Sequence, residues 1–165
     1  AQQRGVEIIG YVDGYASTTC HEHGTRPSME HEVDVMGDAL KDAGITTEDV
    51  DFIHAHGTGT QANDVIETDA IKVVFGERAS EIPVSSGKSM LGHTLGASGM
   101  FGMISSLLTL NHGVATPTIN LDNPDPKCDL NNVPNQSQRL ARSRYAIANA
   151  FGFGGTNTTV VVSKA

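Results

Sequence analysis

Short apolar runs alternate along this chain with segments whose apolar residues recur every three or four positions. The runs at 6–12, 50–55, 82–86, 145–150 and 158–162 are rich in β-branched and aromatic residues and predict strands. Helical spacing predicts a helix over 32–43, with Val33, Met36, Leu40 and Ala43 inward and Gly44 as a left-handed stop. A second helix is expected from Asp64, an N-cap residue with Glu67 in the capping-box position. Ile66, Ala70, Val73 and Val74 form its stripe, and Gly76 ends it. A third covers 95–111, with one apolar row of Met100, Met103, Leu107 and Leu110 and another of Phe101, Ile104 and Leu108. Being apolar on most sides, with small residues from Gly96 to Gly99 and at Gly102, this helix is predicted to be buried in a layered structure. Residues 113–142, broken by Pro117, Pro124, Pro126 and Pro134, read as irregular. Strand and helix alternate three times and two strands follow, an order that predicts an α/β fold with a mixed sheet.

The polar stretch 17–31 carries His21, His23 and His31. Their spacing fits no zinc motif, so a solvated loop is expected and no metal. The length of 165 residues suits one domain, and the absence of Trp makes its core aliphatic. A formal charge of −8 argues against nucleic acid as a partner, and an acidic protein partner needs a local basic patch. No apolar run is long enough to span a membrane. Cys20 and Cys128 make neither a disulfide framework nor a metal site, so free thiols in a reducing cytoplasm are expected. The polar start, Gln2, Gln3 and Arg4, has no signal-peptide pattern, and its abruptness reads as a domain cut from a longer chain.

Two histidines carry the candidate chemistry. His56 lies in His56-Gly57-Thr58-Gly59-Thr60, and His93 ends Gly87-Lys88-Ser89-Met90-Leu91-Gly92-His93; both segments fall between a predicted strand and a predicted helix. Imidazoles among small residues suit a site that stabilises developing negative charge. The loop from Phe151 to Asn157 holds three glycines, which permit positive φ and close approach of backbone to a ligand.

These motifs occur in one order: His56 to Thr60, Gly87 to His93, Pro117-Thr118-Ile119-Asn120-Leu121 with Cys128-Asp129-Leu130, and Asn149 to Asn157. Together they resemble the C-terminal half of a β-ketoacyl-acyl carrier protein synthase of the elongating type II kind, over essentially all of residues 1–165. The resemblance implies a thiolase-like fold, two α/β halves packed in five αβαβα layers, with the half bearing the nucleophilic Cys absent from this chain. It implies decarboxylative condensation of malonyl-carrier protein with an acyl thioester, in fatty acid or polyketide synthesis. His56 and His93 would hydrogen-bond the malonyl thioester oxygen as the enolate forms, and Lys88 would act electrostatically. Phe153 would gate the acyl pocket and give a backbone N–H to the oxyanion hole. Thr58 and Thr60 would bind the phosphopantetheine arm, and Phe151 and Gly154 would complete the substrate wall. No cofactor of its own is implied, because the phosphopantetheine belongs to the acyl carrier protein. The implied partners are that carrier, the N-terminal half, and a second copy of the full-length enzyme in a homodimer.

Many family members place a Glu nine residues after the second His, where it pairs with the lysine; here that residue is Gly102. Lys88 must then use another carboxylate, water or a backbone carbonyl. Neither cysteine has the setting of the family's nucleophile, so the chain alone is expected to form no acyl-enzyme. A noncatalytic partner subunit of the chain-length-factor kind is the alternative, although such partners tend to lose the second His or the lysine. A thiolase is disfavoured, because residues 149–157 contain no Cys.

Overall fold

The computed structural model describes residues 2–20 and 26–165, so the expectation for His21 and His23 lies outside the described residues. The elements are β1 (Tyr11–Thr19), α1 (Met29–Asp42), β2 (Val50–His54), α2 (Gln61–Phe75), β3 (Val84–Ser85), α3 (Lys88–Leu91), α4 (Ser98–His112), β4 (Val114–Ala115), β5 (Gln138–Arg139), β6 (Tyr145–Phe151) and β7 (Thr156–Ser163). Five strands form one sheet in the order β1-β7-β6-β2-β3. The β1–β7 and β7–β6 pairs are antiparallel, and the β6–β2 and β2–β3 pairs are parallel. This is the mixed sheet expected from the order of elements.

Alternation along the central strands sends residues to two cores. Ile53, Ile147 and Val161 face α1 and α2, where Met36, Leu40, Ile71 and Phe75 meet them. Phe52, Ala146 and Val162 face the other way and pack with Leu107 and Leu110 of α4. The sheet is thus sandwiched between a helix pair and a single helix.

Several expectations need correction. The first strand is not 6–12 but Tyr11–Thr19, partly inside the stretch read as a solvated loop. Val6, Ile9 and Val12 are exposed. What makes β1 a strand is its ladder with β7, from Tyr11 opposite Ser163 to Thr19 opposite Thr156, rather than an apolar run. Gly14 lets it lie close to α1, since a Cβ there would stand 2.6 Å from the Ala39 carbonyl oxygen. The helix α2 starts at Gln61 with Thr60 at its N-cap, so Asp64 sits inside the first turn, where its Oδ1 accepts the Gly59 N–H at 3.2 Å. Its buried face is Glu67, Thr68, Ala70, Ile71 and Phe75, while Val73 is exposed. In α4 the inner row ends on buried Leu107 and Leu110, but Met100, Phe101, Ile104 and Leu108 are exposed. That helix is buried on one side of this chain, not on most sides. No helix among the described residues is long and apolar enough to cross a membrane.

Candidate active site

The site forms where β2, β3 and β6 run out and the chain turns toward its helices. His56 follows β2 and is buried. Its ring lies 5.7 Å from that of His93, edge to face at 82°, and 5.7 Å from the ring of Phe151 at the end of β6. The two histidines, 37 positions apart in the sequence, therefore meet as the motifs imply.

The backbone of the His56 turn is held by Glu67, reaching back from the second turn of α2. Its Oε1 accepts from the His56 N–H at 2.7 Å and its Oε2 from the Gly57 N–H at 2.9 Å. Asn149 and Asn63 donate side-chain amides to the same carboxylate at 3.2 and 3.3 Å, and Thr159 donates to Asn149 Oδ1 at 2.9 Å. Glu67 is thus a clamp and not a capping-box partner. Burial pushes its carboxyl above the usual range, and the donors from Gly57, His56 and Asn149 pull the other way. Behind it lies Glu32 of α1, fully buried, with neither carboxylate oxygen hydrogen-bonded among the described residues. Burial, with the nearby Glu67 charge, pushes Glu32 up to about 9, so it is protonated at neutral pH.

Lys88, the first residue of α3, donates from Nζ to the His56 carbonyl at 2.5 Å. This answers the question posed by Gly102: the lysine leans on a backbone carbonyl. Burial lowers its pKa, while Glu67 and Asp64 raise it. Burial likewise drives His56 down to about 3, with further contributions from Lys88, His93 and His54. His56 is therefore a neutral imidazole at physiological pH, a hydrogen-bond donor without a formal charge.

His93 lies on the exposed turn between α3 and α4. Its Nδ1 accepts from the Leu95 N–H at 3.1 Å and lies 3.0 Å from Ser98 Oγ at the start of α4. A ring nitrogen that accepts carries no proton, so neutral His93 bears its proton on Nε2, which is left to donate. The Thr58 and Thr60 hydroxyls hydrogen-bond each other at 2.9 Å. Beside them opens a cavity of about 310 Å³ whose walls include Thr58, Asp64, Lys88, Thr118, Cys128 and Leu130. Phe153 is 81% exposed, and Gly154 next to it sits at φ +78°. Gly155, at φ +73°, is pressed onto Cys20: the Cys20 N–H donates to its carbonyl at 2.8 Å, and a Cβ at 155 would collide with the Cys20 carbonyl. Cys20 is thus buried against the glycine loop rather than lying in a polar loop. The Cys128 thiol is pushed up, first by burial and then by Asp64, Asp125 and Asp129, which keeps it a thiol at neutral pH.

Two residues important to this arrangement, His54 and Ser98, have no functional reading in the sequence, and Glu67 reads there mainly as a helix cap with only a secondary site role. An acid on the inward face of α2 beside Ala70 and Ile71 is the signal that could have found Glu67. His54 and Ser98 show none in sequence, because their partners are a distant backbone amide and a ring whose tautomer only geometry reveals.

Residues 9–122 match the family described as Beta-ketoacyl synthase, C-terminal domain. The chain is 45% identical over 166 residues to the 3-oxoacyl-[acyl-carrier-protein] synthase 2 of Coxiella burnetii, a match covering 99% of this chain and 40% of that protein. Among solved structures it is similar to the ishigamide ketosynthase/chain length factor, with a TM-score of 0.93 and 38% identity over 99% of this chain and 40% of that one. It is equally similar to AntDE:AntF, a type II PKS acyl-carrier protein in complex with its ketosynthase, with a TM-score of 0.93 and 37% identity over 99% of this chain and 40% of that one. The chain thus spans 40% of the length of these relatives. The motifs, the thiolase-like α/β fold and these matches agree, and the chain belongs to the β-ketoacyl synthase family, in its C-terminal domain.

Proposed function

We propose that this chain is the decarboxylation half of a 3-oxoacyl-acyl carrier protein synthase. The observation that carries the reading is the pair of facing imidazoles, one held neutral by burial beside Lys88 and the other fixed with a donor at Nε2. The His93 N–H is set before substrate arrives, and donors from the two neutral rings are worth most where charge develops, on the thioester oxygen of malonyl-carrier protein as carbon dioxide leaves. Lys88, braced on the His56 carbonyl, adds positive charge near that oxygen without entering covalent chemistry.

The phosphopantetheine arm of an acyl carrier protein is the proposed occupant of the cavity beside Thr58 and Thr60. Its size falls within the range of small-ligand clefts, and hydroxyls with both donor and acceptor capacity suit an amide-rich arm. The complex of a related ketosynthase with its carrier protein supports that choice of partner. Phe153 and Gly154 would close the acyl side, with Phe151 behind His56.

The acyl group itself would sit on a cysteine outside residues 1–165, in a preceding half that covers the outer row of α4 and also forms the homodimer. Neither Cys20, buried behind Gly155, nor Cys128, with its raised thiol pKa, suits a nucleophile. Retention of His56, His93 and Lys88 favours a catalytic subunit over a chain-length-factor-like one. Iodoacetamide labelling of the full-length protein at neutral pH tests this. The expected result is stoichiometric capture of one cysteine outside this chain with loss of condensation; stoichiometric capture of Cys20 or Cys128 contradicts it.

A further inference from the structure

We infer that His54 is a positioning residue of this site, one that fixes Lys88 from beneath through the Gly87 amide, in space that glycine at 102 leaves free. The inference rests on the reading of the site given above.

His54 ends β2, two residues after Phe52, and so points to the α4 face of the sheet, where it is 3% exposed. Its Nε2 accepts the Gly87 N–H at 3.1 Å. Gly87 immediately precedes Lys88, whose Nζ holds the His56 carbonyl. One hydrogen bond therefore connects the end of β2 to the start of α3, and the lysine closes the circuit back onto the turn after β2. An acceptor is required at this point. The imidazolium form has no lone pair to offer, so the bond exists only with the neutral ring carrying its proton on Nδ1. Burial, with Lys88 nearby, lowers His54 to about 4, so the bond persists at neutral pH.

A carboxylate at position 54 would also accept from Gly87, but it would compete with the His56 carbonyl for the Lys88 ammonium. The imidazole fixes the backbone and leaves the lysine charge uncommitted.

Gly102 completes the arrangement. A Cβ on it would stand 3.0 Å from His54 Nδ1 and 3.2 Å from Cε1, tighter than ordinary contact. It lies within α4, where glycine is disfavoured relative to alanine by about 0.5–1 kcal/mol, and its backbone is not in the left-handed region. Space for the ring, not backbone freedom, is what glycine supplies. The small cavity beside the ring is lined by Lys88 and by Ser98, the residue that holds His93. His54 therefore shares a cavity wall with the residues beneath both arms of the site.

The test uses the full-length protein. Selective ¹⁵N NMR of its histidines at pH 7 is expected to show the His54 ring neutral and protonated at Nδ1; a ring protonated at Nε2 overturns the inference. In malonyl-carrier protein decarboxylation, His54→Leu, which keeps bulk but accepts nothing, is expected to lower kcat roughly tenfold or more with KM little changed. His54→Gln, whose Oε1 reaches the place of Nε2, should stay within about threefold of wild type. Gly102→Ala, favoured in a helix, should fold and still cost about fivefold in kcat by displacing the ring, and it decides the matter if His54→Leu does not fold. Wild-type kcat in His54→Leu or Gly102→Ala, or a His54→Gln as impaired as His54→Leu, overturns it. A wild-type protein that does not decarboxylate malonyl-carrier protein refutes the proposed function instead, while the NMR result still decides the geometry of His54.

Discussion

The two histidines sit in contrasting halves of the site. The His56 half is finished within this chain: its turn is clamped by Glu67, its carbonyl is held by Lys88, and its ring is covered by Phe151. The His93 half is open. His93 is fixed by a backbone amide and lies close to one serine hydroxyl, Phe153 is exposed, and the outer row of α4 faces solvent. Polar organisation of the site is therefore local, built from contacts within one sheet and its helices. Enclosure is not, and enclosure is what gives preorganised donors their strength.

The largest expected effects fall on the finished half. Glu67→Ala leaves the His56 and Gly57 N–H groups without an acceptor, and each buried unsatisfied donor costs about 1–3 kcal/mol. A loss of roughly 2–5 kcal/mol in urea unfolding is expected; a loss below about 1 kcal/mol would mean that the clamp is dispensable.

Acid should weaken the same half. His54 and His56 lie at about 4 and about 3 in the folded state against 6.5 for the free side chain. Between those values the unfolded chain binds more protons than the folded one. Their stabilisation is complete above pH 6.5 and lost as pH falls toward 4 and then 3, at up to about 1.4 kcal/mol per pH unit for each ring. Glu32 works in the opposite sense. With its carboxyl raised from 4.5 to about 9, the folded chain binds more protons across that window, and stability falls as pH rises. Glu32→Gln should therefore gain on wild type in Tm progressively from pH 5 to pH 9. A difference independent of pH would show that Glu32 does not titrate as a buried acid.

The smallest effect should mark the open half. Leu107→Ala, in the inner row, is expected to cost about 2–5 kcal/mol, whereas Leu108→Ala, one residue on and 47% exposed, should change the stability of this unit by less than about 0.5 kcal/mol. Measured instead in the full-length protein, Leu108→Ala should cost clearly more if a preceding half covers that row. Equal costs in both settings would remove the reason for assigning a cover.

The same division explains what was legible in the sequence. Strands β2, β6 and β7 were readable because their apolar residues are buried on both faces of the sheet, and Gly44 and Gly76 ended their helices as expected. The largely exposed β1 was not, because its partner β7 lies more than a hundred residues away and the apolar run at 6–12 is the stronger strand signal. In α2 the stripe was misassigned because buried Glu67 and Thr68 occupy positions a hydrophobic pattern reads as polar surface. The His56 and His93 segments were legible as motifs. The Lys88 contact, the His93 tautomer and the His54 support are matters of angle and distance, and the sequence pattern does not encode them.

His56 and His93 are proposed to stabilise the enolate formed on decarboxylation. The most direct test of that role is the turnover of malonyl-carrier protein to acetyl-carrier protein by the full-length protein and by its His56→Ala, His93→Ala double variant, with equal folding verified by Tm. The expected result is a fall in kcat of roughly 10²-fold or more. A double variant that decarboxylates at the wild-type rate would contradict that role.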